Sequence, residues 1–167
     1  PEFSHELCKK WEQLALEAAS ENTRVCLLRT GIVLSTSGGA LKKMLLPFKL
    51  GLGGEMASGT QYMSWIHIGD MVRAILFIID NDNIEGPINC TAPTPVTNIE
   101  FSQSLARALK KPCMFPIPAF VLKLLFGEMS DLFIYGQHVF PKKLISHNFS
   151  FEHTTVDDAF VSLLSTS

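Results

Sequence analysis

The segment Ser64–Asp80, with the sequence SWIHIGDMVRAILFIID, constrains the fold of this chain more than any other stretch. After a short polar and aromatic start, apolar residues recur at the three- and four-residue spacing of an amphipathic helix. These residues are Ile68, Met71, Val72, Ile75, Leu76 and Ile79. An apolar stripe of this width predicts a helix that is buried against a sheet or another helix.

The start of this predicted helix allows two interpretations. Asp70 falls in the first turn, where a carboxylate is stabilised by the free N–H groups and by the positive end of the helix dipole. On the simpler interpretation the segment is a core helix with a well-formed N-terminus. On the other, Trp65, His67 and Asp70 face a functional site at the point where a strand ends. Spacing alone does not separate the two.

Composition and charge exclude several classes of protein. The chain has 167 residues, of which 47% are hydrophobic, and this indicates a folded domain with a sizeable core. The formal net charge is −2, which gives no indication of a basic surface for binding nucleic acid or an acidic membrane. The apolar run Ala119–Phe126 is interrupted by Lys123 and is too short to span a membrane. We therefore expect neither a nucleic-acid nor a membrane partner.

The four cysteines are far apart, and none forms a C-x-x-C pair. This favours a reduced, intracellular and most simply cytoplasmic protein, with no disulfide framework and no metal site. The N-terminus carries no secretory or transit signal and enters a predicted helix at once, with Trp11 and Leu14 on one face. A chain that opens within a helix predicts that it belongs to a longer protein.

The remaining pattern alternates strands with helices. Thr23–Arg29 is an apolar run that predicts a strand buried on both faces, and Pro87–Thr91 predicts another strand. Predicted helices are Ala40–Leu50, which Pro47 kinks or ends, one that a Thr97/Glu100 capping box opens, Ala119–Phe126, Glu128–Tyr135, Pro141–His147, and one capped at Thr155. The order predicts an α/β fold with a parallel sheet and a helix-rich C-terminal region.

A glycine-rich stretch, Gly51–Thr60, invites comparison with a phosphate-binding loop. It does not match the dinucleotide pattern, because Met56 stands where the third glycine belongs and no strand–turn–helix surrounds it. We interpret it as a structural turn.

Four blocks of the sequence, in this order, resemble one protein family. They are LLRTGIVLSTSGGALKKMLLPFKLGLGG, SWIHIGDMV, GPINCTAPTPVTNIEF and FGEMSDLFIYGQHVFPKKL. The chain is similar to the C-terminal part of an atypical extended short-chain dehydrogenase/reductase of the "epimerase family", the NAD-dependent epimerase/dehydratase-like proteins. The resemblance implies two parts: residues 1–91 as the C-terminal part of a Rossmann-like NAD(P)-binding domain, and residues 92–167 as a small helical domain of unknown function.

The resemblance also implies a nicotinamide cofactor, NADP(H) or NAD(H), and a small-molecule substrate. The family's pyrophosphate-binding glycine loop lies in an N-terminal half of the fold, which we expect as the partner of this segment. The resemblance places Thr30, Gly31, Ile32 and Val33 beside the nicotinamide, with Trp65 and His67 on the substrate side. From the residues alone, Gly31 could equally serve only a turn, with Ile32 and Val33 in the core.

The chain departs from the family's catalytic Tyr-x-x-x-Lys pattern. If Glu12 is aligned with the acidic residue that follows this motif, Ser4 and Cys8 occupy the Tyr and Lys positions. Neither side chain can supply a tuned phenol or a positive charge. His67 is then a weak candidate for acid–base chemistry. Two functions follow: an oxidoreductase or epimerase that moves hydride at a secondary alcohol or carbonyl, or a non-catalytic NAD(P)-binding protein that senses nucleotide state or binds a partner.

Overall fold

A computed structural model of the chain describes residues 2–118, 124, 127 and 135–165, with side chains from His5 onward. The elements are α1 (Glu2–Leu16), β1 (Cys26–Thr30), β2 (Ile32–Leu34), α2 (Gly39–Lys49), β3 (Tyr62–Met63), β4 (Trp65–His67), α3 (Ile68–Asp80), β5 (Gly86–Cys90), β6 (Val96–Thr97), α4 (Asn98–Ala108), α5 (Lys142–Ser146) and α6 (Val156–Ser165). The predicted helices Ala119–Phe126 and Glu128–Tyr135 lie largely outside the described residues.

Parallel strand pairs form the centre of the structure and confirm the predicted α/β class. β1 pairs with β5, from Cys26 beside Gly86 to Thr30 beside Cys90. β2, which follows β1 after one residue, pairs in parallel with β4. A short antiparallel pair, β3 with β6, lies beyond them. Within the described residues, β1 has a partner on one edge only.

The prediction that the first strand is buried on both faces is wrong for this chain. Leu28 of β1 has 36% of its surface exposed, and Arg29 and Thr30 are exposed as well. A strand of a parallel sheet is covered on both faces only when neighbouring strands and their helices surround it. Since β1 has one described neighbour, its outer part remains accessible.

The helix predicted from Ser64–Asp80 forms as α3, but the prediction of which stripe is buried is wrong. Ala74 and Ile78 are buried against β5, whereas most of the predicted stripe is exposed, with 49% for Val72, 55% for Leu76 and 59% for Ile79, although its Met71 packs against the same core. Apolar residues occupy two sides of this helix, so the spacing identifies a helix without identifying its inner side. α1 has a similar exposed stripe, in which Trp11 and Leu14 are each 63% accessible.

A second core joins α2, α4 and α6. It contains Leu41, Phe48, Trp65, Phe101, Leu105 and Phe160, and the rings of Phe101 and Phe160 meet edge to face with centroids 5.0 Å apart. The capping box predicted at Thr97 and Glu100 is present, and the Thr155 hydroxyl accepts a hydrogen bond from the Asp158 N–H at the start of α6. Pro47 lies inside α2 rather than ending it.

None of the helices in the described ranges combines the length and the apolar character that crossing a bilayer requires.

Candidate functional site at the carboxyl ends of the parallel strands

β1 and β5 end side by side, at the edge where open α/β sheets bind their ligands. The next residues are Gly31 and Thr91. Thr30 is exposed at this edge, and Ile32 and Val33 are half-buried just beyond it. The four residues predicted to contact the cofactor therefore lie together at the carboxyl end of β1, with accessible surface. Their contact with a cofactor stays a prediction.

The structure explains why position 31 is a glycine, a question that the sequence left open. Its N–H donates to the carbonyl oxygen of Cys90, 3.1 Å away. A β-carbon at this position would lie 2.5 Å from the backbone oxygen of Ser64 and 2.9 Å from the side-chain methyl of Thr91. Glycine is required because the chain passes between two neighbouring segments here.

Two glycines of Gly51–Thr60 are likewise explained by packing. A β-carbon at Gly53 would lie 2.5 Å from the ring of Phe48, and one at Gly54 would overlap the carbonyl oxygen of Phe115. No helix begins in this stretch. The interpretation of the stretch as a structural turn is confirmed.

An extended segment, Gln137–Phe140, lies against Ser64 and the carboxyl end of β5, and we call it the crossing segment. The Ser64 hydroxyl donates to the carbonyl oxygen of Gln137 and accepts a hydrogen bond of 3.0 Å from the N–H of Val139. The Thr91 hydroxyl donates to the Val139 carbonyl oxygen at 3.4 Å. Two side chains that flank Gly31 thus hold the crossing segment beside it.

Further contacts fix both ends of the crossing segment. The side-chain amide of Asn89, in β5, donates to the carbonyl oxygen of Phe140 at 3.2 Å. At the other end, Gly136 approaches so closely that a β-carbon there would lie 2.5 Å from the carbonyl oxygen of Tyr62. The backbone of the segment is therefore held along its whole length.

The side chains of the crossing segment form an aromatic group with β3. The ring of His138 stacks on Tyr62 with centroids 3.9 Å apart and an interplanar angle of 20°. The ring of Phe140 also contacts His138, with centroids 4.7 Å apart. All three side chains are exposed.

The two residues predicted for the substrate side, Trp65 and His67, lie in the interior of the described structure. Trp65 has no accessible surface, and its indole N–H donates to the carbonyl oxygen of Thr94 at 3.1 Å. These contacts give Trp65 a packing role, and its place beside a substrate stays a prediction.

His67 ends β4 and begins α3. Its Nδ1 accepts a hydrogen bond of 3.0 Å from the N–H of Gly69, and its ring stacks on His153 with centroids 3.7 Å apart. The Nε2 atom is buried and has no partner among the described residues. Burial, and then the neighbouring His153, lower the pKa of His67 below its usual value. The residue is a helix cap, and its catalytic role stays a weak prediction.

Asp70 is fully buried and anchors the segment before α6 to α3. Its carboxylate accepts the N–H groups of Glu152 and His153, each at 2.9 Å, and forms an ion pair of 2.9 Å with Arg73. The Asp70, Glu152 and His153 side chains each place one possible metal ligand within 4.8 Å of the others. Because Arg73 and two backbone donors already satisfy the Asp70 carboxylate, this arrangement is better explained as a structural anchor.

Of the two residues at the Tyr and Lys positions, the structure describes the side chain of Cys8, which is exposed on α1. One turn further along, Glu12 forms two hydrogen bonds of 2.7 Å with Arg29 of β1. This ion pair fixes α1 against the strand that ends at the candidate site. The hydrogen bonds from Arg29 also lower the pKa of Glu12.

Comparison with known proteins identifies the family. The sequence pattern of the NAD dependent epimerase/dehydratase family matches residues 7–90. The chain belongs to this family. A second pattern, a domain of unknown function named DUF1731, matches residues 117–163.

The family's proteins include bacterial relatives that are similar to nearly the whole chain. An epimerase family protein of Mycobacterium tuberculosis is 42% identical over 158 residues, which are 94% of this chain and 52% of the relative. One of Staphylococcus epidermidis is 42% identical over 163 residues, 98% of this chain and 54% of the relative. The chain thus spans about half the length of the curated relatives it matches.

Solved structures agree with this assignment. Human epimerase family protein SDR39U1 (isoform 2), crystallised with NADPH, is 33% identical, with a TM-score of 0.91 over 97% of this chain and 55% of that protein. A nucleoside-diphosphate sugar epimerase from Corynebacterium glutamicum is 28% identical, with a TM-score of 0.76 over 97% of this chain and 31% of that protein. The Rossmann-like epimerase fold predicted for the chain is therefore confirmed.

Proposed function

We propose that this chain forms the substrate-side half of an NADP(H)-dependent oxidoreductase or epimerase that moves hydride at a secondary alcohol or carbonyl of a small molecule. The observation that carries the proposal is the likeness to a protein crystallised with NADPH, over 97% of this chain. The exposed carboxyl end of β1, where Thr30 is accessible beside the end of β5, supports it. When bound, the nicotinamide would supply or accept the hydride.

The residues at this edge fit one end of the cofactor, the nicotinamide ring. Thr30 offers an exposed hydroxyl, and Ile32 and Val33 offer half-buried apolar surface on which a flat ring could lie. Gly31 makes room for Ser64 and Thr91 rather than for a ligand. These residues would orient one end of the cofactor, while its phosphates would need a glycine-rich helix N-terminus. The sequence of this chain contains no such G-x-x-G-x-x-G pattern.

We further propose that a dinucleotide-binding half of the fold completes the sheet along the free edge of β1. The relatives' extra length is of the right size for such a half, since this chain covers only 52–55% of them. Leu28 on β1 is exposed, and so is an apolar stripe of α3 formed by Val72, Leu76 and Ile79, which we call the outer stripe. A neighbouring half would cover this apolar surface. We use the term completed fold for this chain preceded by that half.

NADPH binding and consumption test the proposal. In calorimetry, the completed fold should bind NADPH at micromolar concentration, and this chain alone should bind it at least tenfold more weakly. Absorbance measurements should then show NADPH oxidation with some member of a panel of ketones. Micromolar binding by this chain alone would contradict the division of the site. Tight binding by the completed fold without consumption by any carbonyl compound would instead favour the non-catalytic nucleotide-binding protein.

A further inference from the structure

His138 is an exposed histidine near the carboxyl edge of the sheet, and hydrogen bonds hold the backbone on both sides of it. His138 lies at the middle of the crossing segment. The carbonyl before it and the N–H after it both bind the hydroxyl of Ser64, which is only 8% exposed. Packing alone does not require that one buried hydroxyl bind the backbone both before and after an exposed loop residue. Such support is typical of a side chain that must be held in one place.

The same contacts place His138 near the predicted nicotinamide position. The carbonyl oxygen of Ser64 accepts the N–H of Ile32 at 2.8 Å and lies against Gly31. Thr91, which also contacts the crossing segment, lies close to Gly31 as well. The backbone on either side of His138 is therefore hydrogen-bonded to Ser64 and Thr91, the two residues that a β-carbon at Gly31 would meet.

The ring of His138 is oriented but chemically available. Tyr62 stacks on one face, and Phe140 contacts it at an angle of 60°. Within the described part of the chain, no hydrogen bond engages its ring nitrogens. His67, by contrast, uses Nδ1 as a helix cap and buries Nε2. Of these two histidines near the edge, only His138 can exchange a proton with a molecule outside.

We propose that His138 is the proton donor and acceptor for the substrate, in place of the tyrosine that the family's Tyr-x-x-x-Lys pattern would supply. This inference rests on the proposed function. In the reducing direction, the substrate's carbonyl carbon gains hydride from the reduced nicotinamide as its oxygen gains a proton from the His138 imidazolium. The products are a secondary alcohol, the oxidised nicotinamide and a neutral imidazole. An imidazole is suited to this step because its ordinary pKa is close to neutrality.

The test uses the completed fold and two readouts, and its control is His147→Gln. His147 is the C-cap residue of α5, where its Nδ1 contacts the carbonyl oxygen of Lys143. In NMR spectra, NADPH should shift the ring signals of His138 with the same saturation curve as binding, and leave those of His147 unchanged. His138→Gln should lower ketone-dependent NADPH oxidation by about 100-fold, the usual size of acid–base assistance, with NADPH affinity kept within twofold. His147→Gln should change neither quantity.

The outcomes separate the two proposals. If the completed fold does not bind NADPH, both proposals fail. If it binds NADPH but the His138 signals do not move, or His138→Gln oxidises NADPH at the rate of the unsubstituted protein, only the assignment of His138 is overturned. If it binds NADPH but no ketone in the panel is consumed, the hydride-transfer function and the assignment of His138 as its proton donor both fail, and a saturating shift at His138 would then report only its place beside the nicotinamide.

Discussion

The α-carbon of Gly31 lies so close to Ser64 that a β-carbon at position 31 would come within 2.5 Å of the Ser64 carbonyl oxygen. This carbonyl is held by the N–H of Ile32 at 2.8 Å and cannot move away cheaply. The contact ties the end of β1 to the segment that enters β4. It also means that Gly31 is constrained before any cofactor is considered.

The first prediction concerns this contact. Gly31→Ala should destabilise the protein by about 1–3 kcal/mol, because the added methyl group overpacks a site bounded by backbone. Urea unfolding measures the change. Gly38→Ala is the matched control, since a β-carbon at Gly38 has no neighbour within 4 Å and its φ of −167° suits any residue. Equal stability of the two variants would show that the Ser64 contact is not restrictive.

The same contact changes what a bulkier residue at position 31 can reveal. A valine at position 31 would at first sight test a cofactor contact, because its side chain would block an approaching ring. In this structure, valine would first displace Ser64 and Thr91. Lost NADPH affinity in such a variant would therefore report a shifted backbone, and Thr30 is the better residue for testing direct contact.

A second prediction concerns Arg24, which caps the end of α3 from a distance in sequence. Its guanidinium donates to the carbonyl oxygens of Ile78, Ile84 and Ile79 at 2.9, 2.7 and 3.1 Å. Arg24→Met should cost about 2 kcal/mol, because it leaves carbonyl groups without donors. Arg24→Lys is the informative comparison, since one ammonium cannot reproduce the planar fork of donors.

Urea unfolding of the two Arg24 variants distinguishes geometry from charge. We expect Arg24→Lys to recover less than half of the stability lost in Arg24→Met. Full recovery by lysine would mean that charge alone, including the 3.8 Å pairing with Asp82, accounts for the role of Arg24.

How much the sequence predicted depends on the distance over which each feature is determined. The capping box joins Thr97 and Glu100, which are three positions apart, and its pattern was sufficient to predict it. The parallel α/β class followed from alternating elements. The inner side of α3 did not, because both of its sides are apolar and the choice depends on what β5 presents.

The candidate site shows the same limit. Ser64 and Gln137 are 73 residues apart, and no local period connects them. Ser64 was within the segment that the sequence emphasised, and His138 was within one of the four family blocks, but their pairing is a tertiary fact. The burial of Trp65 was equally hidden, since an aromatic residue beside a histidine has the same pattern in a core and in a cleft.

A third prediction tests the completed fold through Leu76, which lies on the outer stripe of α3 and is 55% exposed. In this chain alone, Leu76→Lys should change stability by no more than about 0.5 kcal/mol, as expected for a surface substitution. In the completed fold it should cost about 2 kcal/mol, because the stripe would then be covered. Ile78→Ala is the control, since Ile78 is buried in either case and should cost about 2–5 kcal/mol in both. A small cost for Leu76→Lys in both forms would place the dinucleotide-binding half elsewhere.

The last prediction concerns the pH dependence that His67 gives to stability. Burial and His153 lower its pKa in the folded protein, so the folded state favours the neutral ring more than the unfolded state does. The stability that this preference contributes is fully present above the unfolded value of about 6.5 and is lost as the pH falls through the folded value. Stability should therefore decline on acidification below about 6.5, where Asp and Glu side chains have not yet begun to protonate appreciably.

His67→Gln separates this effect from others. The variant should lose about 1 kcal/mol at pH 7, because it gives up the stacking on His153 and weakens the cap at Gly69. It should also show a flatter stability profile between pH 7 and about 5, since the titrating group is gone. NADPH oxidation by the completed fold should fall only with the folded fraction. If a stably folded His67→Gln variant lost its activity selectively, His67 rather than His138 would be the residue that exchanges the proton.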